Sequence, residues 1–222
     1  MSENRNQGAD KLFEAIADGQ LGRVKELLKQ QPELAKAHDP QGNSAILVAA
    51  YAGSPEIAAA LQAAGAQVNA FEAAALGRTD LVIALLEMNP GLLRAYGHDG
   101  WTLLHLAAFF GHRDLAAALL DRGASPAAFS HNAMANQPLH SAVAGRRLDL
   151  VKLLLKRGAD VNGSAQGLTP LHLAAHAGHE PLASMLLAFG ADTRIKDAAG
   201  HTPLQMALDQ SHGTLADLLK RF

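Results

Sequence analysis

Apolar and polar positions follow a helical period along much of this chain, and the predicted helices recur in pairs. In the clearest pair, Thr169 suits the N-cap and Pro170 the first helical position, so a helix is predicted to begin there and to end at Gly178. A second helix is predicted from about His179 to Phe189, and Gly190 suits a left-handed C-terminal cap. The apolar side of the second helix carries Leu182, Met185, Leu186 and Leu187. This stretch is therefore predicted to be a helical hairpin.

The pieces of this hairpin return at a nearly fixed interval. Thr169 and Thr202 are 33 positions apart, and Thr102 precedes Thr169 by 67 positions, with Gln137 at the equivalent place between them. Full or near matches to Thr-Pro-Leu-His lie at 102–105, 138–140, 169–172 and 202–204, and Gly-Ala pairs lie at 65–66, 123–124, 158–159 and 190–191. The chain is therefore predicted to be an array of about seven helix-turn-helix repeats.

A period near 33 residues with Thr-Pro-Leu-His resembles the ankyrin repeat, here in a bacterial-type ankyrin repeat domain. The resemblance covers residues 10–222 and implies an all-α solenoid, in which each repeat adds two antiparallel helices and a short projecting β-turn. It implies a single domain preceded by a flexible leader over residues 1–9. The predicted repeats cover residues 10–38, 39–69, 70–97, 98–130, 131–163, 164–196 and 197–222.

One step in the array is short. The position of the motif histidine is assigned, in order, to Phe13, Leu47, Phe71, His105, His140, His172 and Gln205. The step from Leu47 to Phe71 is 24 residues, whereas the other steps are 32 to 35 residues. The projecting turn expected between Asn69 and Phe71 is therefore predicted to be missing, which leaves the third repeat as a helix pair alone.

Composition narrows the range of partners and compartments. Hydrophobic residues make up 49% of the chain and aromatic residues only 5%, as expected for helices that pack through alanine and leucine. A formal charge of −2 gives no general attraction for nucleic acid or for anionic membranes. Cysteine is absent, the first eight residues are polar, and no run is long and apolar enough to span a bilayer. We expect a cytoplasmic monomer.

The histidines do not predict a metal site. His105, His140 and His172 occupy the motif position, where the family resemblance implies structural hydrogen bonds to neighbouring turns. His172 and His176 have the spacing of a helical metal pair, but no glutamate follows His172 as in His-Glu-x-x-His. The sequence also lacks a nucleophile elbow, a phosphate loop and a dinucleotide fingerprint. We predict no catalytic residue, no cofactor and no metal, and we do not expect an enzyme.

The leading hypothesis is a protein-binding module. In ankyrin-like solenoids the turns and the exposed side of the first helices form a concave surface that binds partners. Phe109 and Phe110 are adjacent on a helix, so at least one of them should be exposed or should line a recess. The surface is predicted to be centred on repeats two to five. Its predicted partner-binding residues are Tyr51, His98, Trp101, Phe109, Phe110, His131 and Met134.

Two alternatives remain open at this point. The recess left by the missing turn could hold a small molecule or support catalysis, and a closed pocket with convergent polar groups would favour this hypothesis. The residues of that alternative site are Phe71, Glu72, His98, Asp99, Trp101 and His131. A purely structural spacer is the other alternative, and it predicts that the phenylalanine and tryptophan side chains are mostly buried.

Overall fold

The computed structural model describes residues 2–222, which form paired α-helices joined by turns. The fourteen α-helices of this range are α1 Ser2–Ala17, α2 Leu21–Gln30, α3 Ala45–Tyr51, α4 Pro55–Ala63, α5 Ala70–Ala75, α6 Thr79–Met88, α7 Leu103–Phe110, α8 Arg113–Asp121, α9 Pro138–Ala144, α10 Leu148–Lys156, α11 Pro170–His176, α12 Glu180–Ala188, α13 Pro203–Asp209 and α14 Gly213–Leu219. Short 3-10 helices lie at Pro32–Lys36 and Pro90–Arg94. The prediction of an all-α repeat array is confirmed.

The chain divides into two compact units, with the boundary between Leu85 and Leu86 inside α6. In the N-terminal unit α1 packs on α3 and α3 on α5, while α2 packs on α4. The core of this unit is built mainly from Leu12, Ile16, Val24, Leu28, Ile46, Ile57 and Leu61, with alanines between them. The region predicted as one domain over residues 10–222 therefore contains two compact units.

The N-terminal residues are helical in the structure. The sequence predicts a flexible leader over residues 1–9, whereas residues 2–9 belong to α1; Met1 lies outside the described residues. Gly8 is buried, and a Cβ atom added there would lie 2.8 Å from Oε1 of Gln31 and 3.4 Å from Cδ2 of Leu34. The absence of a side chain at Gly8 thus allows α1 to approach the first 3-10 helix closely, a contact that the polar composition of this stretch conceals.

The C-terminal unit consists of two layers of helices. Helices α7, α9, α11 and α13 pack side by side, and each packs on its second helix, α8, α10, α12 or α14, which form the other layer. The predicted N-caps are present: Thr102, Thr169 and Thr202 accept hydrogen bonds from the backbone N–H three residues later. Ala107 and Ala108 have no exposed surface, which agrees with close packing through small residues.

The predicted missing turn is confirmed, but the assigned motif position in the third repeat is wrong. Asn69 directly caps α5, and its side chain accepts hydrogen bonds from the backbone N–H groups of Phe71 and Glu72. Glu72, rather than Phe71, is the third residue after the cap and returns a hydrogen bond to the backbone N–H of Asn69. The motif position therefore belongs to Glu72, because the capping box fixes that register.

Candidate partner-binding surface

Three buried histidines hold the turns of the C-terminal unit in place. Nδ1 of His105 lies 2.7 Å from the hydroxyl of Thr102, and its Nε2 lies 3.0 Å from the carbonyl oxygen of Asn136 in the next turn. His140 and His172 make the same kind of contact, at 3.1 Å, to the carbonyl oxygens of Leu168 and His201. Since a carbonyl oxygen only accepts, Nε2 carries the proton in each ring.

Burial keeps these imidazoles neutral. Loss of hydration lowers the pKa of His105 from 6.5 to about 4, against a smaller opposing effect of its hydrogen bond to Asn136. The pKa values of His140 and His172 are also lowered, again chiefly by burial. At neutral pH the three rings are therefore uncharged donors that fix the turns, as the family resemblance implies.

The turns of repeats four and five are joined by backbone contacts. The N–H of His131 donates to the carbonyl of Gly100 at 2.8 Å, and the side-chain amide of Asn132 donates to the carbonyl of Asp99 at 3.0 Å. Gly100 has a φ of +78°, and a Cβ atom there would lie 2.7 Å from the carbonyl carbon of His131. Only glycine accommodates both the backbone conformation and this close approach.

Three aromatic side chains and one methionine lie on these joined turns: Tyr96, Trp101, His131 and Met134. We call these four residues the turn cluster. The rings of Tyr96 and His131 stack with centroids 3.5 Å apart and planes 12° from parallel. Trp101 is partly buried beside His105, with ring centroids 5.3 Å apart, and Met134 is 60% exposed. His98 lies on the same turn as Gly100 and is exposed. The structure thus brings part of the predicted surface together.

Tyr96 was not among the predicted partner-binding residues. Its position gave one available signal, because it immediately precedes Gly97, where the turn of the fourth repeat begins. Its stacking on His131 depends on contact between successive turns, which the sequence spacing alone does not show.

Phe109 and Phe110 form a second group at the C-terminal end of α7. Their rings meet edge to face with centroids 5.2 Å apart, and Phe110 stacks on His112 at 6.2 Å. Both phenylalanines are partly buried, which agrees with the prediction that they cannot share one core. Trp101 precedes the N-terminal end of the same helix, and eight helical residues span about 12 Å. The predicted residues of this unit therefore form two clusters at opposite ends of α7.

Tyr51 belongs to the N-terminal unit. It is the last residue of α3 and is 42% exposed. Trp101, Phe109 and Phe110 are partly buried, as the structural-spacer alternative predicts for phenylalanine and tryptophan, whereas Phe129, Phe189 and Phe222 are 48%, 40% and 69% exposed.

The alternative small-molecule site draws on residues from both units. In the N-terminal unit Phe71 is partly buried, whereas the Glu72 side chain is only 4% exposed. The carboxylate of Glu72 accepts hydrogen bonds from the backbone N–H of Asn69 at 2.8 Å and from the hydroxyl of Ser44. His98, Asp99, Trp101 and His131 belong to the turns of the C-terminal unit.

A cavity of about 430 Å³ lies beside Glu72. Its walls come from the N-terminal unit alone: the end of the first 3-10 helix with His38, the first turn of α3, and the connector 66–69 before α5. A recess is therefore present next to Glu72, with Lys36, His38 and Ser44 among its polar residues.

Two further features of residues 2–222 bear on function. No group of three or more histidine, aspartate or glutamate side chains among residues 7–222 is arranged to hold a metal ion. None of the helices in residues 2–222 is both long and apolar enough to cross a membrane.

The sequence matches a family model described as ankyrin repeats (3 copies), over residues 71–165 and 161–221. These two segments take in the third to seventh helix pairs.

Three curated proteins illustrate the range of similar sequences. A Caenorhabditis elegans homolog of transient receptor potential cation channel subfamily A member 1 is 33% identical over 80% of this chain and 15% of its own length. A mouse B-cell lymphoma 3 protein homolog is 29% identical over 83% of this chain and 44% of its own. Protein PhlB of Serratia liquefaciens is 38% identical over 52% of this chain and 51% of its own. The matched region thus spans about half or less of each relative.

Proposed function

The chain belongs to the ankyrin-repeat family, and from this premise we propose that it is a protein–protein interaction module. A polypeptide partner binds along the turn tips and the exposed side of the first helices. The turn cluster is the observation that carries this proposal, because it combines a partly exposed tryptophan and a 60% exposed methionine with a backbone fixed by inter-turn hydrogen bonds.

Preorganisation lowers the free-energy cost of binding at such a surface. The Gly100–His131 hydrogen bond and the Tyr96–His131 stack already hold the turns in one conformation, so little ordering free energy is lost on binding. Aromatic anchors at the centre of an interface supply most of the affinity. Trp101 and Met134 are therefore the expected anchors at the turn tips, with His98 and His131 as polar neighbours; Phe109 and Phe110 provide a second contact, and Tyr51 contributes from the N-terminal unit.

The test compares Trp101→Ala/Met134→Ala with the wild type. A partner is captured on the immobilised wild-type protein and identified, and its affinity for each purified variant is then measured by calorimetry. We expect the double variant to bind at least about tenfold more weakly, which corresponds to losing about 1.4 kcal/mol at an interface anchor.

Phe189→Ala is the matched control. Phe189 is an aromatic side chain of the same compact unit, is 40% exposed and lies outside both clusters, at the end of α12. The Phe189→Ala variant should bind the partner with the same affinity as the wild type. Equal affinity of the wild type and the Trp101→Ala/Met134→Ala variant, with both folded by circular dichroism, would remove the turn cluster from the interface.

We further propose that the protein acts as a cytoplasmic monomeric scaffold and that its domain is of the bacterial type. A chain without cysteine suits a reducing compartment. Cell fractionation and light scattering of the purified protein test the location and the oligomeric state.

A further inference from the structure

The chain contains two cavities at equivalent places, one in each compact unit. Each is bordered by the end of a 3-10 helix, the first turn of the following helix and a Gly-Ala connector. The corresponding pairs include Lys36 and Arg94, Ser44 and Thr102, and Ile46 and Leu104, each 58 positions apart. Two independent copies of the same recess provide an internal comparison.

The two cavities differ in size and charge. The first measures about 430 Å³ and the second about 240 Å³. Ala35 and His38 line the first, where the second has the larger Leu93 and Tyr96. The carboxylate of Glu72 forms part of the wall of the first cavity, whereas no acidic residue lines the second cavity.

Glu72 is unusual among the acidic side chains because it is only 4% exposed. Its carboxylate accepts two hydrogen bonds, one from the hydroxyl of Ser44 and one from the backbone N–H of Asn69. A carboxylate has about four lone-pair positions, so it can accept further donors. Among residues 7–222, whose side chains the structure describes, no lysine, arginine or histidine forms an ion pair with it at 4 Å or less. A buried carboxylate is stabilised by a cationic partner.

We propose that the first cavity receives a lysine or arginine side chain of the polypeptide partner, an inference that rests on the proposed function. Ile46 and Val68 provide apolar surface for the aliphatic stem, and the cationic head donates to the carboxylate of Glu72. Lys36 is exposed at the cavity, where its charge weakens the binding of the inserted cation and disfavours any further positive charge nearby. The inserted residue is therefore flanked by neutral or acidic residues in the partner.

The direct test uses a small probe, N-acetyl-arginine N-methylamide, with the uncharged citrulline analogue as its control. Binding to the nitrogen-15-labelled protein is followed by nuclear magnetic resonance at the backbone amides of Gln67, Val68 and Asn69. We expect saturable shifts with the arginine probe and at least about tenfold weaker binding of the citrulline analogue, since hydrogen bonds between charged groups are the stronger ones. Equal binding of the two probes, or no shift at millimolar concentrations, would overturn the proposal.

Two variants with a matched control assign the binding to this cavity. Glu72→Gln should lower the affinity for the arginine probe about tenfold, because it removes the negative charge but keeps an acceptor for the backbone N–H of Asn69. Lys36→Met should bind the probe more tightly, because a repelling charge is lost. Arg94→Met, at the equivalent position of the second cavity, should leave the affinity unchanged.

The outcomes separate this proposal from the proposed function. If Glu72→Gln does not fold, the comparison of Lys36→Met with Arg94→Met still tests the inference. Equal effects of these two variants on the affinity for the arginine probe would refute it. A partner that requires the turn cluster but binds Glu72→Gln as tightly as the wild type would sustain the interaction module and reject the basic-residue pocket. Binding of the free probe without any effect of Glu72→Gln on partner affinity would assign the cavity to a small cationic ligand and would likewise reject the proposed occupant.

Discussion

One side-chain position, the third residue after the helix cap, has different roles in successive repeats. As histidine it caps its own helix and donates to the next turn, as at His105, His140 and His172. As Gln205 it only caps, and as Glu72 it bonds back to Ser44 of the preceding repeat. The sequence motif predicted the histidine role correctly. It missed Glu72, because the register there depends on a cap made by asparagine in place of threonine.

The lowered pKa of His105 predicts a loss of stability in mild acid. Its folded pKa of about 4 is below the unfolded value of 6.5, so the unfolded chain binds the proton more tightly. The stabilisation is therefore fully present above about pH 6.5 and is lost as the pH falls from there towards 4. For His105 alone we expect the free energy of unfolding to fall by about 1 kcal/mol between pH 7 and pH 5.5.

Gln205 supplies the control substitution for this prediction. In His105→Gln the side-chain oxygen can accept from the backbone N–H of Thr102, as Gln205 does from Thr202 at 2.9 Å. Urea unfolding should show a variant that is less stable at pH 7, because the hydrogen bond to Asn136 is lost, but with a smaller decrease between pH 7 and 5.5. An unchanged pH dependence would show that His105 is not a source of the acid sensitivity.

At the scale of the helix, local sequence signals predicted where helices begin and end, but they did not predict which distant residues a helix or turn contacts. Caps and glycines predicted the helices of the sixth repeat to within a residue or two, since those signals act within one turn of the chain. The helical state of residues 2–9 and the stacking of Tyr96 on His131 could not be predicted, because both depend on residues more than twenty positions away. The division of the predicted surface into two clusters follows from the length of α7.

Close packing of α7 on α9 predicts that Ala108→Leu is destabilising. Ala108 has no exposed surface, so the added carbon atoms of leucine have no space in the core without a shift of the backbone. We expect a loss of about 1–3 kcal/mol in the free energy of unfolding. Ala144→Leu is the control, because Ala144 is exposed near the end of α9 and should leave stability nearly unchanged. Equal unfolding midpoints for the two variants would contradict the assigned helix faces.

At the scale of the whole molecule, the repeat count, the helical class and the missing turn were all predictable from sequence spacing. The two compact units were not, because the repeat period continues on both sides of Leu85 and Leu86. The cavity beside Glu72 was predicted only as a recess at the missing turn. Its walls come from residues 35–46 and 66–72, whose approach depends on how the helices of that unit pack.

Net charge leads to a prediction for the whole chain. With a formal charge of −2, it has no overall attraction for a phosphate backbone. We expect no shift of duplex DNA or of single-stranded RNA in gel electrophoresis at 150 mM salt. The same nucleic acids with a strongly basic protein serve as the positive control. A shift that persists at this salt concentration would require a local basic surface and would revise the expected class of partner.

The replacement of histidine by Glu72 gives the chain an uneven response to protons. Every buried histidine of the motif lies after the short repeat, whereas the corresponding positions of the N-terminal unit, Leu47 and Glu72, are not histidines. Mild acidification therefore lowers the free energy of unfolding through the buried motif histidines of one compact unit, and no motif histidine contributes in this way in the other. In an acidic compartment the C-terminal unit would therefore lose resistance to unfolding through its buried motif histidines, a route that the N-terminal unit does not share.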